Sequence, residues 1–174
     1  MIKILAVLIF ISSGVFADTL ETMNRYIKEA KTPLSKQMLI CERDADVNLK
    51  NADAKECLKA ADMLLALKGK KLDDYESSFP VSVERMASGY FKNAGGIYEA
   101  QGDYKNAIIM YEKAAEQNNS TALNNLGILY ANGEGVPKNY TKAYQYWKEA
   151  SALGNKNAEQ ALQALCSKNS SACK

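Results

Sequence analysis

Two stretches of the chain carry one pattern of aromatic and small residues, and that repetition limits the possible folds more than any other feature. Tyr98, Gly102, Tyr104, Ala107, Tyr111 and Ala114 recur as Tyr130, Gly133, Tyr140, Ala143, Trp147 and Ala150. Counted from the second aromatic, the later positions fall at the same intervals of three, seven and ten residues. That spacing places each alanine–aromatic–alanine set on one face of a helix. Ahead of its second aromatic the second copy holds four extra residues, within Asn132-Gly133-Glu134-Gly135-Val136-Pro137. Each copy therefore reads as a helix, a turn and an antiparallel helix. Ala107 and Ala114, with Gly95 on the facing helix, let two backbones approach to about 8–10 Å. Tyr98, Tyr104 and Tyr111 fill the space that remains. Hairpins of this kind cannot bury their apolar faces alone, so they stack on their neighbours.

Helical spacing of apolar residues continues through most of the chain, and no sustained alternation marks a strand. The pattern predicts helices over 19–31, 34–46, 53–69, 81–101, 104–117, 120–132, 139–153 and 156–168. Pro33, Pro80 and Pro137 sit at the boundaries. Gly102-Asp103 ends one helix and caps the next, and Asn139 caps the helix that begins at Tyr140. The polar run from Lys68 to Asp74 reads as a solvated connector. Ten aromatic residues lie between Tyr90 and Trp147, so the largest buried areas are expected in the C-terminal half.

The first residues read as an address rather than as part of the fold. Met1-Ile2-Lys3 is a short positive head before the apolar run Ile4 to Ile11, and Val15-Phe16-Ala17 fits a signal-peptidase site. Cleavage is expected between Ala17 and Asp18. The apolar stretch from Ile4 to Ala17 is 14 residues, short of the ~20 that a spanning helix needs. No later run is apolar enough to span a bilayer, and the residue directly after the cleavage site is Asp18 rather than a Cys that could take a lipid. The expected location is the bacterial periplasm or the medium.

Cys41, Cys57, Cys166 and Cys173 all follow that site, and an even count in an exported chain argues for disulfides. Four cysteines allow three pairings. If helices 34–46 and 53–69 form a hairpin turning at Leu49, Cys41 and Cys57 lie eight residues to either side of the turn and come level. Cys166 would then close a short C-terminal segment with Cys173. The expected organisation is a signal peptide over 1–17, a helical region with a hairpin over 18–80, and repeats with a capping helix over 81–174.

At these residues the chain resembles two repeat families. Phe91, Gly95, Tyr98, Gly102, Tyr104, Ala107, Tyr111 and Ala114 are similar to a tetratricopeptide repeat. From Ala122 to Ala158, Leu126-Gly127, Tyr130, the turn Gly133 to Val136, Tyr140, Lys142-Ala143, Trp147, Glu149-Ala150 and Gly154 resemble a Sel-like repeat. The resemblance implies an all-α, right-handed superhelical solenoid of antiparallel helix pairs. It also implies a concave face, built from the first helix of each pair, that holds a peptide or protein partner. Lys92, Gly96, Glu99, Asn124, Ile128 and Ala131 fall on that face. Gly127 joins Tyr98, Tyr130 and the alanine–aromatic sets as expected repeat core. Export, Sel-like repeats and cysteines together also resemble in part the Helicobacter cysteine-rich family, which implies penicillin binding or weak β-lactamase activity as the alternative function. Both well-formed repeats here lack cysteine.

Chemistry-bearing motifs are otherwise sparse. There is no histidine, which excludes His bases, His metal ligands and the commonest switch near neutral pH. A formal charge of +2 is too small to mark a nucleic-acid partner. Gly133-Glu134-Gly135 is explained by a helix end and a turn rather than by a phosphate loop. Glu42, Asp44 and Asp46 are interrupted by Arg43 and read as a solvated hairpin tip. Ser171-Ala172-Cys173-Lys174 spells Ser-x-x-Lys without the companion motifs of β-lactamases. No cofactor is expected, and a binding scaffold in the cell envelope is the favoured function.

Overall fold

The computed structural model describes residues 33–47, 49–66, 68, 82–169 and 173. The expected signal segment with its Ala17–Asp18 site, the helix over 19–31, Ser171 and most of the connector lie outside the described residues. Seven helices are described: α1 (Pro33–Val47), α2 (Ala54–Leu65), α3 (Val83–Ala100), α4 (Tyr104–Ala115), α5 (Ser120–Asn132), α6 (Tyr140–Ala152) and α7 (Lys156–Lys168). Each stands where the apolar periodicity places one, with ends shifted by a few residues. Among the described residues there is no strand.

Local chemistry fixes where these helices begin. Asp53, Ser82, Asp103, Asn119, Asn139 and Asn155 precede α2 to α7, and each side chain accepts a backbone N–H of the first turn. Such a cap contributes about 1 kcal/mol by satisfying a donor that the helix itself leaves unpaired. Two of these caps also tie neighbouring pairs together. Asn119 Nδ2 donates to Ser88 Oγ in α3 at 3.3 Å, and Asn155 Nδ2 donates to the Ser120 carbonyl of α5 at 3.0 Å. The first helices of successive pairs are thus laced at their ends.

Every helix packs on the next in chain order, α1 also meets α3, and α5 also meets α7. The result is an α-solenoid of helix pairs. One apolar cluster runs from Cys41 and Leu64 through Phe91, Ile97 and Tyr111 to Leu126 and Leu129. A second gathers Leu123, Tyr130, Trp147, Ala150, Ala158 and Leu165. The four extra residues of the second repeat have a structural use. Gly133 and Gly135 both take positive φ, and a Cβ on Gly135 would stand 2.7 Å from Tyr104 Cβ. The long turn therefore lies against the start of α4, and Val136 packs on both clusters.

The N-terminal hairpin is held differently. Cys41 and Cys57 are disulfide-bonded, with Cα atoms 4.6 Å apart. Ala54, Ala60, Ala61 and Leu64 are the other buried residues of α2. Gln37 Nε2 reaches across to the Glu56 carbonyl at 2.8 Å, Tyr90 donates to Glu42 at 3.0 Å, and Gln101 Nε2 donates to the Ala52 carbonyl at 2.8 Å. Lys68 pairs with Glu84 at 3.0 Å, joining the end of α2 to the start of α3. The carboxyl of Glu84 is held below the usual range, first by the backbone N–H at the helix start and then by Lys68.

Candidate binding face

The face built by the first helices depends on how each second helix sits behind it. In the α3–α4 pair the joint is Gly95 beneath the Tyr111 ring, where a Cβ would meet Cδ1 at 2.6 Å. No larger residue fits without separating the helices. The ring is buried, and its hydroxyl passes Gly96 to donate to Glu99 Oε2 at 2.6 Å. A residue of the second helix thereby delivers a polar group to the first. Burial, then the adjacent Glu99 carboxylate, hold the Tyr111 phenol protonated well above its usual range, against a smaller opposing influence of Asn125 in the next pair.

In the α5–α6 pair, Gly127 lies against the Trp147 indole in the same way. Here the polar atom stays inside. Trp147 Nε1 donates to the Asn124 carbonyl at 3.1 Å, which satisfies a buried donor without exposing it. The same joint therefore gives the first pair a polar outlet and the second an apolar front, with Ile128 at 37% exposure.

Of the residues expected on this face, Lys92, Gly96, Glu99 and Ala131 are half-buried. Ala131 also packs against the second cluster. Asn124 requires a correction, because it is 8% exposed and does not stand out as a donor. The bond from Trp147 to its carbonyl draws that turn of α5 into the helix interface, and its own Nδ2 is 3.4 Å from Asn125 Oδ1. Its neighbour Asn125 is the more accessible amide. Asn93 and Asn125 each stand two residues before a joint glycine. Register does not choose between the two asparagines, because Lys92 with Asn124 and Asn93 with Asn125 stand at the same 32-residue offset as Gly95 with Gly127 and Tyr98 with Tyr130.

The remaining expected core residues fall at the helix interfaces: Ala107, Tyr111, Ala114, Tyr130, Ala143, Trp147 and Ala150 are buried, and Tyr98 packs half-buried on the first cluster. Lysines of the second helices lie over rings of the first, with Lys142 of α6 5.0 Å from the Tyr130 centroid and Lys113 of α4 5.3 Å from that of Phe91. Cys166 and Cys173 are bonded to each other, 5.7 Å apart at Cα, so all four cysteines are paired and none is a free thiol. Glu42 accepts from Tyr90, and the side chains of Asp44 and Asp46 lie outside the described residues. Among the described residues no three acidic or cysteine side chains group together to hold a metal ion, and no helix is long and apolar enough to cross a membrane.

No curated protein sequence matches the chain significantly. The family model of the Sel1 repeat matches it twice in succession, over residues 84–119 and 120–155. The first match holds α3, α4 and the turn to Asn119, and the second holds α5, α6 and the turn to Asn155. All four cysteines fall outside both matches. Residues 84–155 are accordingly two consecutive Sel1 repeats, stacked between a disulfide-joined hairpin and the C-terminal helix α7.

Proposed function

We propose that the protein is an exported scaffold whose α3–α5 face docks a segment of another protein in the cell envelope. Sel1 repeats are in general protein–protein interaction modules, and the first helices of this pair present residues at corresponding positions 32 apart, in register with Gly95 and Gly127. The observation that carries the reading is the pairing of Asn93 with Asn125 and of Gly96 with Ile128 in the two units. Asn93 Nδ2 already turns to Cys41 Sγ at 3.8 Å, so the amides offer chiefly their carbonyl oxygens, acceptors for the backbone N–H groups of an extended segment. Gly96 leaves room beside Glu99, while Ile128 supplies apolar contact. Disulfides and the N-terminal segment support an oxidising location.

Ile128→Asp tests the face against a matched control, Ile109→Asp, on the exposed side of α4. Ile109 is 47% exposed and Ile128 37%, so each change should alter stability by no more than about 0.5 kcal/mol. Envelope proteins captured on the immobilised wild type are identified and retested against both variants. Loss of capture with Ile128→Asp and retention with Ile109→Asp is the expected result. The reverse pattern moves the docking surface to the second helices.

A further inference from the structure

Asn118, Asn119, Asn139 and Asn169 each have Ser or Thr two residues later, the spacing of an N-glycan acceptor. The structure separates them by what their amides already do. Asn119 uses both ends of its side chain, accepting from the Ala122 N–H at 3.1 Å and donating to Ser88 at 3.3 Å. Asn139 is held against the start of α6 by the Lys142 N–H at 2.9 Å. Asn169 is hydrogen-bonded at the end of α7.

Asn118 is the exception. It is exposed in the turn between α4 and α5, and its side chain makes no hydrogen bond among the described residues. Its φ of 57° is the left-handed conformation, and it is the one non-glycine residue described there. The same place in the second repeat, 36 residues on, is Gly154 at φ 85°. Glycine meets that backbone demand without strain, whereas asparagine is the tolerated substitute at up to about 1 kcal/mol. The turn gains nothing from the amide it carries at this cost. Glu116, two residues before, adds an exposed carboxylate, and Ser120 places a hydroxyl two residues after.

We propose that Asn118 is the N-glycosylation site of this protein, read as Glu116-Gln117-Asn118-Asn119-Ser120. The inference rests on the export reading, because the donor is a lipid-diphosphate-linked glycan presented outside the cytoplasm. In the transfer, Asn118 Nδ2 bonds to the anomeric carbon of the first sugar. The bond from that carbon to the diphosphate oxygen breaks, the lipid diphosphate leaves with its electron pair, and the amide nitrogen releases one proton. Ser120 is the first residue of α5, so transfer precedes closure of that turn or uses its opening. The glycan then projects from the end of the α4–α5 turn.

The test uses full-length protein purified from the envelope of its native host, with mass analysis of the tryptic peptide Ala114–Lys138. The peptide should carry added carbohydrate mass on Asn118. Asn118→Gly should remove it completely while keeping the fold, since glycine suits the positive φ, and Ser120→Ala should remove it with Asn118 still present. Exported protein that lacks Met1–Ala17 but has a bare Ala114–Lys138 peptide overturns the glycan alone. So does carbohydrate that persists on this peptide in Asn118→Gly. Protein that stays in the cytoplasm with Met1 retained overturns both the glycan and the export reading.

Discussion

Cys41 and Cys57 join α1 to α2 by a covalent bond, whereas α3–α4 and α5–α6 are joined by a glycine packed beneath an aromatic ring. The two solutions bury different things. Behind the disulfide, α2 contributes alanines and one leucine to the core. Behind the glycines, Tyr111 and Trp147 fill the interface, each bringing the large buried area and single polar atom of its type. A joint that buries little is held by limiting the freedom of the unfolded chain. A joint that buries a ring is held by packing, and it can also carry a hydroxyl or N–H to a chosen place. Only the second kind shapes the candidate docking face. The first is sensitive to reductant, the second to steric change.

The largest effect should follow from emptying a ring joint. Trp147→Ala removes the indole between α5 and α6 and should cost about 3–5 kcal/mol, read from the midpoint of urea unfolding. A cost below about 1 kcal/mol would mean that the interface collapses to fill the space, and the ring joint would not be the main tie. The disulfide comes next. Its two cysteines are 16 residues apart, for which loop closure gives about 3 kcal/mol on a model-dependent basis. In the double variant Cys41→Ala, Cys57→Ala, amide exchange should accelerate in α1 and α2 while α5 and α6 keep their protection. Equal acceleration throughout would show that the hairpin is part of one cooperative unit with the repeats, and the contrast between the two regions would fail.

The joints also show how far the sequence could be read. Helices were legible because Ala107, Tyr111 and Ala114 repeat at helical spacing and because Asp103, Asn119 and Asn139 mark starts by a local rule. Proximity of Cys41 to Cys57 followed from hairpin symmetry. Depth was harder. Asn124 shares a helix face with Ile128, but its burial is set by Trp147, which is 23 residues away and bonds its carbonyl. Nor could periodicity reveal that Asn119 and Asn155 reach back to Ser88 and to the Ser120 carbonyl. Both caps were needed locally, and their second bonds exist only once the pairs have stacked. The contact of Gly135 with Tyr104 is of the same kind, since a turn residue meets a partner in the preceding repeat.

A smaller effect is expected from crowding the first ring joint. Gly95→Ala places a methyl where the Tyr111 ring now lies, with 2.6 Å to Cδ1. The ring cannot swing aside freely, because its hydroxyl is held by Glu99. Overpacking should cost about 1–3 kcal/mol. Adding Tyr111→Leu to Gly95→Ala should recover part of that loss in a double-mutant cycle. Strict additivity of the two changes would separate the glycine from the ring and remove the basis of the comparison.

The smallest predicted effect distinguishes the joints by pH. Burial and then Glu99 raise the Tyr111 phenol above its ordinary value of 10.0, while burial and then Glu112 push Tyr146 up to about 12. In both cases the folded chain keeps a proton that the unfolded chain releases. Their stabilisation is therefore complete below pH 10 and declines as pH rises from there towards the folded values. For the buried Tyr111 the loss should be about 0.8 kcal/mol at about pH 10.5, where roughly three-quarters of unfolded tyrosine is ionised. Tyr146 is half-exposed and adds to the slope by an amount that solvent reduces. Comparing urea midpoints at about pH 8 and pH 10.5, the wild type should lose more stability than Tyr111→Phe. Tyr146 lies on α6 beside Trp147, so the α5–α6 pair shares this response, more weakly because Tyr146 is half-exposed. Amide exchange of α3 and α4 should therefore accelerate more under alkali than that of α5 and α6, and the opposite ranking would make Tyr146 the sensitive tyrosine.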